Sequence, residues 1–358
     1  MTNIAVTLSS ASRLPSVDFN NIPFGRVFSD HMFVCDYIEG EWVQPRIIPF
    51  GNFEIHPANL ALHYGQAIFE GMKVFKNKND KATLFRPDAN ITRFNLSAKR
   101  MCMPTVPEDL FMDALHTLCS IEESWIPDTP GSSLYIRPYM FANGEFIGVA
   151  PSDVYRFIIF CCPVGPYYTK PVSLLVEEHY ARAARGGVGE AKCAGNYAAS
   201  LLPAKLAKEK GYDQVMWLDS TEFRYVQEVG TMNLFFVIDG KVVTPETEGT
   251  ILKGITRDSF IKLLRHRGYE VQEAHLDIEY VAEAYRQGKL QEVFGAGTAA
   301  LVAKVNKVTY RNLTMEFNVD SFKVADFLKS EIEAIRKGTV EDTFGWMMPI
   351  RTDVAQEV

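Results

Sequence analysis

The sequence predicts a two-domain α/β (α+β) protein in which strands and amphipathic helices are mixed. Three observations carry that expectation. Runs of β-branched and aromatic residues alternate with stretches whose apolar residues recur at three- and four-residue spacing. Residues 163–171 (PVGPYYTKP) hold three prolines and a glycine, and proline cannot donate to a sheet ladder, so they read as a connection between domains. Beyond it, residues 186–200 (GGVGEAKCAGNYAAS) set one lysine, Lys192, among glycines and small residues. The expected division is 1–165, a connection at 166–174, and 175–358 carrying Lys192.

Taken in order, residues 27–37 (VFSDHMFVCDY) read as a strand, and 83–85 as another. Residues 87–101 change to helical spacing, with Ile91, Phe94, Leu96 and Ala98 on or near one face. Pro107 opens a second amphipathic helix through Ile121. Residues 134–141 and 155–162 read as buried strands, and 172–176 as the first strand after the connection. A helix is expected over 197–210, stopped at Gly211; Pro203 inside it marks either a kink or a first turn. Residues 214–218 are strand-like, and 233–238 and 241–244 flank the hairpin signal Asp239-Gly240. Further helices are expected over 256–267, stopped by Gly268, and from a cap at Asp277 to Gly288. Val293-Phe294 then runs into a glycine-rich loop at 295–298, and 320–336 is the last helix.

Composition narrows the functional classes. Of 358 residues, 47% are hydrophobic and 23% charged, enough for two ordinary domains. The formal net charge of −7 and the lack of a dense Lys/Arg block argue against a nucleic-acid surface. The longest apolar run, 157–164, is too short to span a bilayer, and the first twenty residues have no signal- or transit-peptide pattern, so a cytoplasmic protein is expected. Cys35, Cys102, Cys119, Cys161, Cys162 and Cys193 form no CxxC pair and read as reduced thiols; no metal is expected.

A lone lysine in a glycine-rich stretch is usually a solvated loop residue, but residues elsewhere give Lys192 company. In a dry pocket its amine loses its proton readily and can form a Schiff base. Glu228, before the hairpin, suits the role of keeping a pyridine nitrogen protonated. Tyr197 is either a core aromatic or a phenol near the same ring. Gly254-Ile255-Thr256 opens a helix, a natural phosphate site. Gly295 to Ala299 offers amides and the Thr298 hydroxyl, or is simply a tight turn. The planar fork of Arg93 suits phosphate. A Schiff-base lysine, a carboxylate, a phenol and a phosphate cradle together match pyridoxal 5'-phosphate.

The motifs FGRVFSDHM, LHYGQAIFEGMKVF, LFRPDANITRFNLSAKRMCMP, SLYIRP, CPVGPYY, GEAKCAGNYAAS, EVGTMNLFF, LKGITRDS and FGAGTAA run from about Phe24 to Ala300. In that order they resemble the fold-type IV pyridoxal-phosphate aminotransferases, and among these the branched-chain-amino-acid aminotransferases. The resemblance implies a smaller N-terminal α/β domain and a larger C-terminal domain with the cofactor between them. It implies Lys192 as the cofactor lysine, Glu228 as partner of the ring nitrogen and Tyr197 as the phenol at the ring oxygen. Arg93, Ile255 through its backbone, Thr256 and Thr298 match the phosphate site. Tyr135 and the amides of Thr298 and Ala299 match the substrate-carboxylate receptor, supported by Arg137. Phe24, Phe69, Tyr167 and Thr231 match the side-chain pocket. Tyr64 and Val149 match residues reaching in from a neighbouring subunit, which implies a homodimer. The implied reaction is ping-pong transfer of an amino group from leucine, isoleucine or valine to 2-oxoglutarate. Alternatives are a D-amino-acid aminotransferase or an aminodeoxychorismate lyase on the same fold, or a non-catalytic binding protein. Some animal members carry a CxxC after the glycine-threonine-alanine turn; here that place reads Ala300-Leu301-Val302-Ala303, so no thiol switch is expected there.

Overall fold

The computed structural model describes residues 2–168 and 170–351. By their contacts these form two compact units. The first gathers the chain up to Tyr167, the short segment Ala191–Ala194 and the chain from Ala334 onward; the second holds Tyr168–Glu190 and Gly195–Glu333. The observed division departs from the expected one in two places. Ala191–Ala194, with Lys192, groups with the first unit because Cys193 bridges Ile68 and the Phe69 N–H donates to the Lys192 carbonyl at 3.0 Å. The C-terminal segment returns there as well, because Met347–Pro349 pairs with the strand Ala82–Phe85.

The first unit contains β1 (Ala5–Val6), β2 (His31–Ile38), β3 (Glu41–Pro49), α1 (Leu60–Tyr64), β4 (Ala67–Phe69), β5 (Met72–Lys76), β6 (Ala82–Phe85), α2 (Pro87–Arg100), α3 (Glu108–Ile121), β7 (Ser133–Ala142) and β8 (Tyr155–Val164). Its described strands form one sheet in the order β1-β3-β2-β8-β7-β5-β6 and then Met347–Pro349, with β4 laid on β7. Alternation in β8 shows how sequence makes the core. Phe157 packs against Phe94 of α2 and Phe111 of α3, with ring centroids 5.5 and 5.8 Å apart, while Phe160 on the other face meets Tyr139 and Phe50. Pro163, read as part of the connection, lies inside β8 and opposes Leu134. The sequence reading missed β3, whose alternation is broken by Pro45 and by Gln44 at a φ of 52°.

The second unit contains β9 (Val172–Glu177), α4 (Ala194–Ala199), α5 (Leu201–Glu209), β10 (Gln214–Leu218), β11 (Val226–Val229), β12 (Met232–Ile238), β13 (Lys241–Pro245), α6 (Ile255–His266), β14 (Val271–Ala274), α7 (Ile278–Arg286), β15 (Leu290–Gly297), β16 (Leu301–Tyr310), β17 (Leu313–Glu316) and most of α8 (Val324–Lys337). Strands run in the order β11-β10-β9-β16-β15-β12-β13-β14, with β17 on β16. Because β11 also pairs with β12, the six strands from β11 to β12 close into a ring. Leu174, Met216, Leu234, Phe236, Val293 and Val305, all buried, belong to the core cluster of this unit.

The Asp239-Gly240 hairpin forms as expected, with φ of 51° and 76° at its two central residues. Pro203 is the third residue of α5; the helix expected over 197–210 breaks at Ser200 and restarts, so the proline sits in a first turn. Gly295 to Gly297 is not a loop. These residues continue β15 and pair with β12 and β16, and the chain turns only at 298–300. A Cβ on Gly295 would come within 3.0 Å of Met232 Cε and 3.1 Å of Val229 Cγ1, so here glycine serves close packing inside the unit rather than a turn.

The expected last helix begins later than its sequence suggests. Residues Val319–Ser321 form a single 3₁₀ turn, and α8 starts at Val324. Its first turn is fixed by Glu292 of β15, which accepts from the N–H groups of Lys323, Val324 and Ala325 at 2.6, 2.9 and 2.9 Å. Glu292→Ala removes all three acceptor bonds and should lower stability by about 1–3 kcal/mol, the cost of leaving such groups unpaired, and with it the urea midpoint; equilibrium unfolding followed by circular dichroism checks it.

Candidate active site

In the first unit the site is built on one face of α2. The fourth, seventh and eleventh residues of that helix are Asn90, Arg93 and Ser97, all buried and polar, at the spacing that aligns them. Ser97 Oγ accepts from the Lys192 N–H at 2.9 Å, while the Lys192 carbonyl takes the Phe69 N–H. The peptide of Lys192 is therefore clamped on both sides. Its Nζ lies 4.9 Å from the centre of the Phe69 ring, and the Arg137 guanidinium lies 4.6 Å from that ring. Arg93 does not stand alone: its Nε and Nη2 donate to the two oxygens of Glu70 at 2.7 and 2.8 Å.

Of the residues named for a side-chain pocket, Phe24 and Tyr167 touch, and Tyr135 joins them. Phe24 meets Tyr135 and Tyr167 edge-on, with centroids 5.5 and 4.9 Å apart, and Arg137 Nη2 donates to the Tyr135 hydroxyl at 3.0 Å. Burial, and then Tyr135, push the Tyr167 phenol up. Tyr64, at the end of α1, and Val149, 90% exposed in the loop before β8, stand out in solvent in this single chain.

Strand register sets Lys73, Tyr135 and Cys162 side by side across β5, β7 and β8. Burial pushes the Lys73 ammonium down to about 7, the Arg336 charge adds to this, and Cys162 opposes it. Burial likewise pushes the Cys162 thiol up to about 11, against Arg137 and Lys73.

In the second unit Glu228 sits on β11, 3% exposed, opposite Asn233 of β12. Arg182 Nε pairs with its Oε2 at 2.6 Å, and Asn233 Nδ2 donates to its Oε1 at 3.2 Å. Arg182 is itself fixed by the carbonyls of Gly189 and Thr250, and Asn233 by that of Leu252 at 2.9 Å. A buried carboxylate held in this way is costly to misplace. Glu228, Arg182, Asn196, Tyr197, Ser200, Gly230, Thr231 and Leu252 line a cavity. Gly254 forms the N-cap of α6 without a side-chain cap, and Ile255 and Thr256 are its first two residues, both buried. Thr298 and Ala299 lie in the turn between β15 and β16.

Residues 67–308 match the family model for class IV aminotransferases. The chain belongs to the class IV aminotransferases. It is 45% identical over 348 residues to branched-chain-amino-acid aminotransferase 2 of Bacillus subtilis, covering 96% of each chain. It is also 45% identical over 339 residues to a probable branched-chain-amino-acid aminotransferase of Staphylococcus epidermidis, covering 93% of this chain and 94% of that one. Among solved structures it resembles the branched-chain amino acid aminotransferase of Escherichia coli, with a TM-score of 0.73 and 27% identity over 89% of this chain and 99% of that one. The T.th. branched-chain amino acid aminotransferase complexed with N-(5'-phosphopyridoxyl)-L-glutamate gives a TM-score of 0.72 and 28% identity, over 88% and 98% of the two chains. The mixed α/β, two-unit architecture expected from the sequence is thus that of a class IV aminotransferase.

Four polar residues of this aminotransferase escaped the sequence reading: Glu70, Asn90, Arg182 and Asn233. Glu70 lies within the quoted run LHYGQAIFEGMKVF, and Asn90 precedes Arg93 by three residues, a helical spacing that could have signalled a shared face. Asn233 lies within the quoted run EVGTMNLFF but meets Glu228 only through the pairing of β11 with β12, and no local pattern marks Arg182, which pairs with Glu228 from the irregular segment after β9. Among the described residues no helix is long and apolar enough to cross a membrane. The six cysteines are free, and Cys35, Cys119, Cys161, Cys162 and Cys193 are buried.

The depressed Lys73 amine has a consequence for stability. Between about pH 7 and its ordinary value of 10.5 the unfolded chain binds a proton there that the folded chain does not. Stability contributed by this group therefore rises with pH across that window and is at its lowest below pH 7. Thermal melting from pH 6 to 9 should show that slope, and Lys73→Met should flatten it and raise the midpoint most at pH 6.

Proposed function

We propose that the protein is a cytoplasmic, homodimeric branched-chain-amino-acid transaminase that uses pyridoxal 5'-phosphate. It moves the amino group of L-leucine, L-isoleucine or L-valine to 2-oxoglutarate, giving the 2-oxo acid and L-glutamate. The observation that carries the chemistry is Glu228, a buried carboxylate fixed by Arg182 and Asn233 in a cavity that Tyr197 also lines. An oriented anion and a phenol together suit a protonated ring nitrogen and a ring hydroxyl, so this donor set fits the cofactor. The choice of substrate is supported by the names of the relatives and by the aromatic cluster of Phe24, Tyr135 and Tyr167.

When bound, the cofactor supplies the electron sink for the substrate's α-carbon. Lys192 is the residue that anchors it and then, as a free amine, takes the α-proton at Nζ and returns it. Glu228 keeps the ring nitrogen charged, and Tyr197 orients the ring hydroxyl. Arg93, Thr256, Thr298 and the Ile255 backbone hold the phosphate, the α6 start contributing its dipole. Tyr135, with Arg137 donating to its hydroxyl, and the amides of Thr298 and Ala299 receive the substrate carboxylate. Phe24, Phe69, Tyr167 and Thr231 exclude water around the substrate side chain. One methylene in an apolar pocket changes binding by only about 1–3 kcal/mol, so all three branched substrates are accepted. Tyr64 and Val149, exposed in one chain, serve the partner's site.

Absorbance spectra of the purified protein before and after L-leucine, L-glutamate and D-alanine test the reading. Bleaching of the cofactor band by the first two, and not by D-alanine, is expected; the reverse pattern assigns a D-amino-acid enzyme, and no band at all removes the cofactor. Lys192→Ala should lose the band and lower turnover by at least about 10²-fold, the low end for a positioned acid–base group. Glu228→Ala should still bind cofactor yet turn over poorly.

A further inference from the structure

The buried Tyr135 side chain ends against a backbone position that carries no side chain of its own. A Cβ on Gly71 would come within 2.0 Å of Tyr135 Oη and 2.9 Å of its Cζ. The backbone of Gly71 does not itself demand glycine, because its φ lies outside the left-handed region. Space is the reason, and one phenol fills that space. Strand register explains the approach. Phe69 pairs with Tyr139 and Met72 with Ile136, so one register runs through β4 and β5 and sets Gly71 opposite Arg137. Tyr135 lies two residues from Arg137 on β7 and shares its face. An aromatic side chain reaches such a diagonal neighbour on the adjacent strand. There Arg137 Nη2 donates to the Tyr135 hydroxyl at 3.0 Å. That bond uses a lone pair and leaves the hydroxyl's own proton for another acceptor.

We propose that Gly71 is a positioning residue for substrate binding: its bare Cα lets the Tyr135 hydroxyl sit where, braced by Arg137, it donates to the substrate carboxylate. The proposal rests on the reading of Tyr135 as part of the carboxylate receptor. Both partners of the contact are held in place. The Gly71 N–H donates to Glu70 Oε2 at 3.1 Å, its carbonyl accepts from Asn90 Nδ2 at 3.4 Å, and the preceding Glu70 N–H donates to the Pro138 carbonyl at 2.7 Å. The Tyr135 ring meets Phe24 edge-on at 5.5 Å and is clustered with Cys162, Val164 and Phe28. A methyl group at position 71 therefore meets a backbone with little room to retreat, and the phenol must move instead. It has to withdraw by more than an ångström before ordinary contact is reached. A hydrogen bond from that hydroxyl to a ligand does not survive such a change in distance.

The test is a double-mutant cycle on the binding of 4-methylvalerate, the carbon skeleton of leucine without its amino group. Titration calorimetry gives its Kd for the full-length protein saturated with pyridoxal 5'-phosphate, and no turnover is involved. Tyr135→Phe should weaken binding by about tenfold or more, the cost of one hydrogen bond to a charged group, and Gly71→Ala should weaken it by a similar factor. Together they should weaken it no more than Tyr135→Phe alone, because the atom closest to the new methyl is then gone. A merely structural role for Gly71 makes the two losses multiply. Multiplied losses, or a Gly71→Ala protein that binds like wild type while Tyr135→Phe does not, overturn the proposal alone. Wild-type binding by Tyr135→Phe defeats the reading of Tyr135 as carboxylate receptor, and the proposal falls with it. Should Gly71→Ala not fold, the double variant decides: one that folds and binds like Tyr135→Phe upholds the proposal, and one that stays unfolded or binds more weakly overturns it.

Discussion

A carboxylate taken out of water must be met by donors that cannot move away, and each unit of this protein is built around that constraint. In the first, Glu70 is closed in by Arg93, Asn90 and a backbone amide. In the second, Glu228 is closed in by Arg182 and Asn233, and Glu292 by three successive amides at the start of α8. The desolvation cost of a buried ion is several kcal/mol, and only good geometry offsets it. Glu228, which lines the cavity of the second unit, is therefore also little free to drift.

The hydrophobic framework makes that fixation possible. The Phe94, Phe111 and Phe157 rings press α2 and α3 onto the first sheet, which sets the orientation of the polar α2 face. In the second unit the ring closed by β11 and β12 places Glu228 and Asn233 opposite each other. A closed ring has no slack in register, and a one-residue slip would turn Glu228 to the other face. Packing and polar satisfaction are thus two descriptions of the same geometry.

The Lys192 peptide is clamped on both sides, and its half-buried side chain lies against the Phe69 ring. A backbone fixed in this way suits the role proposed for that residue. The aromatic cluster of Phe24, Tyr135 and Tyr167 is divided: Tyr135 is buried on a central strand, while Phe24 and Tyr167 are partly exposed on loops. Loops suit the groups that must admit and release ligands.

Local signals were enough for α2, α3, α6 and α7, for β7 to β10 and for the Asp239-Gly240 hairpin, because spacing, caps and turn residues act within a few positions of the chain. They also picked out Lys192, Glu228 and Tyr197 as groups with matching chemistry. Tertiary structure alone decided that Gly295 and Gly297 belong to a strand, that β11 closes on β12, that Ala191–Ala194 leaves its chain neighbours for the first unit, and that Glu70, Asn90, Arg182 and Asn233 matter. Sequence determines the preferences of each short stretch, but a buried charge finds its partner wherever the fold brings one, and that pairing leaves no periodic trace in the chain.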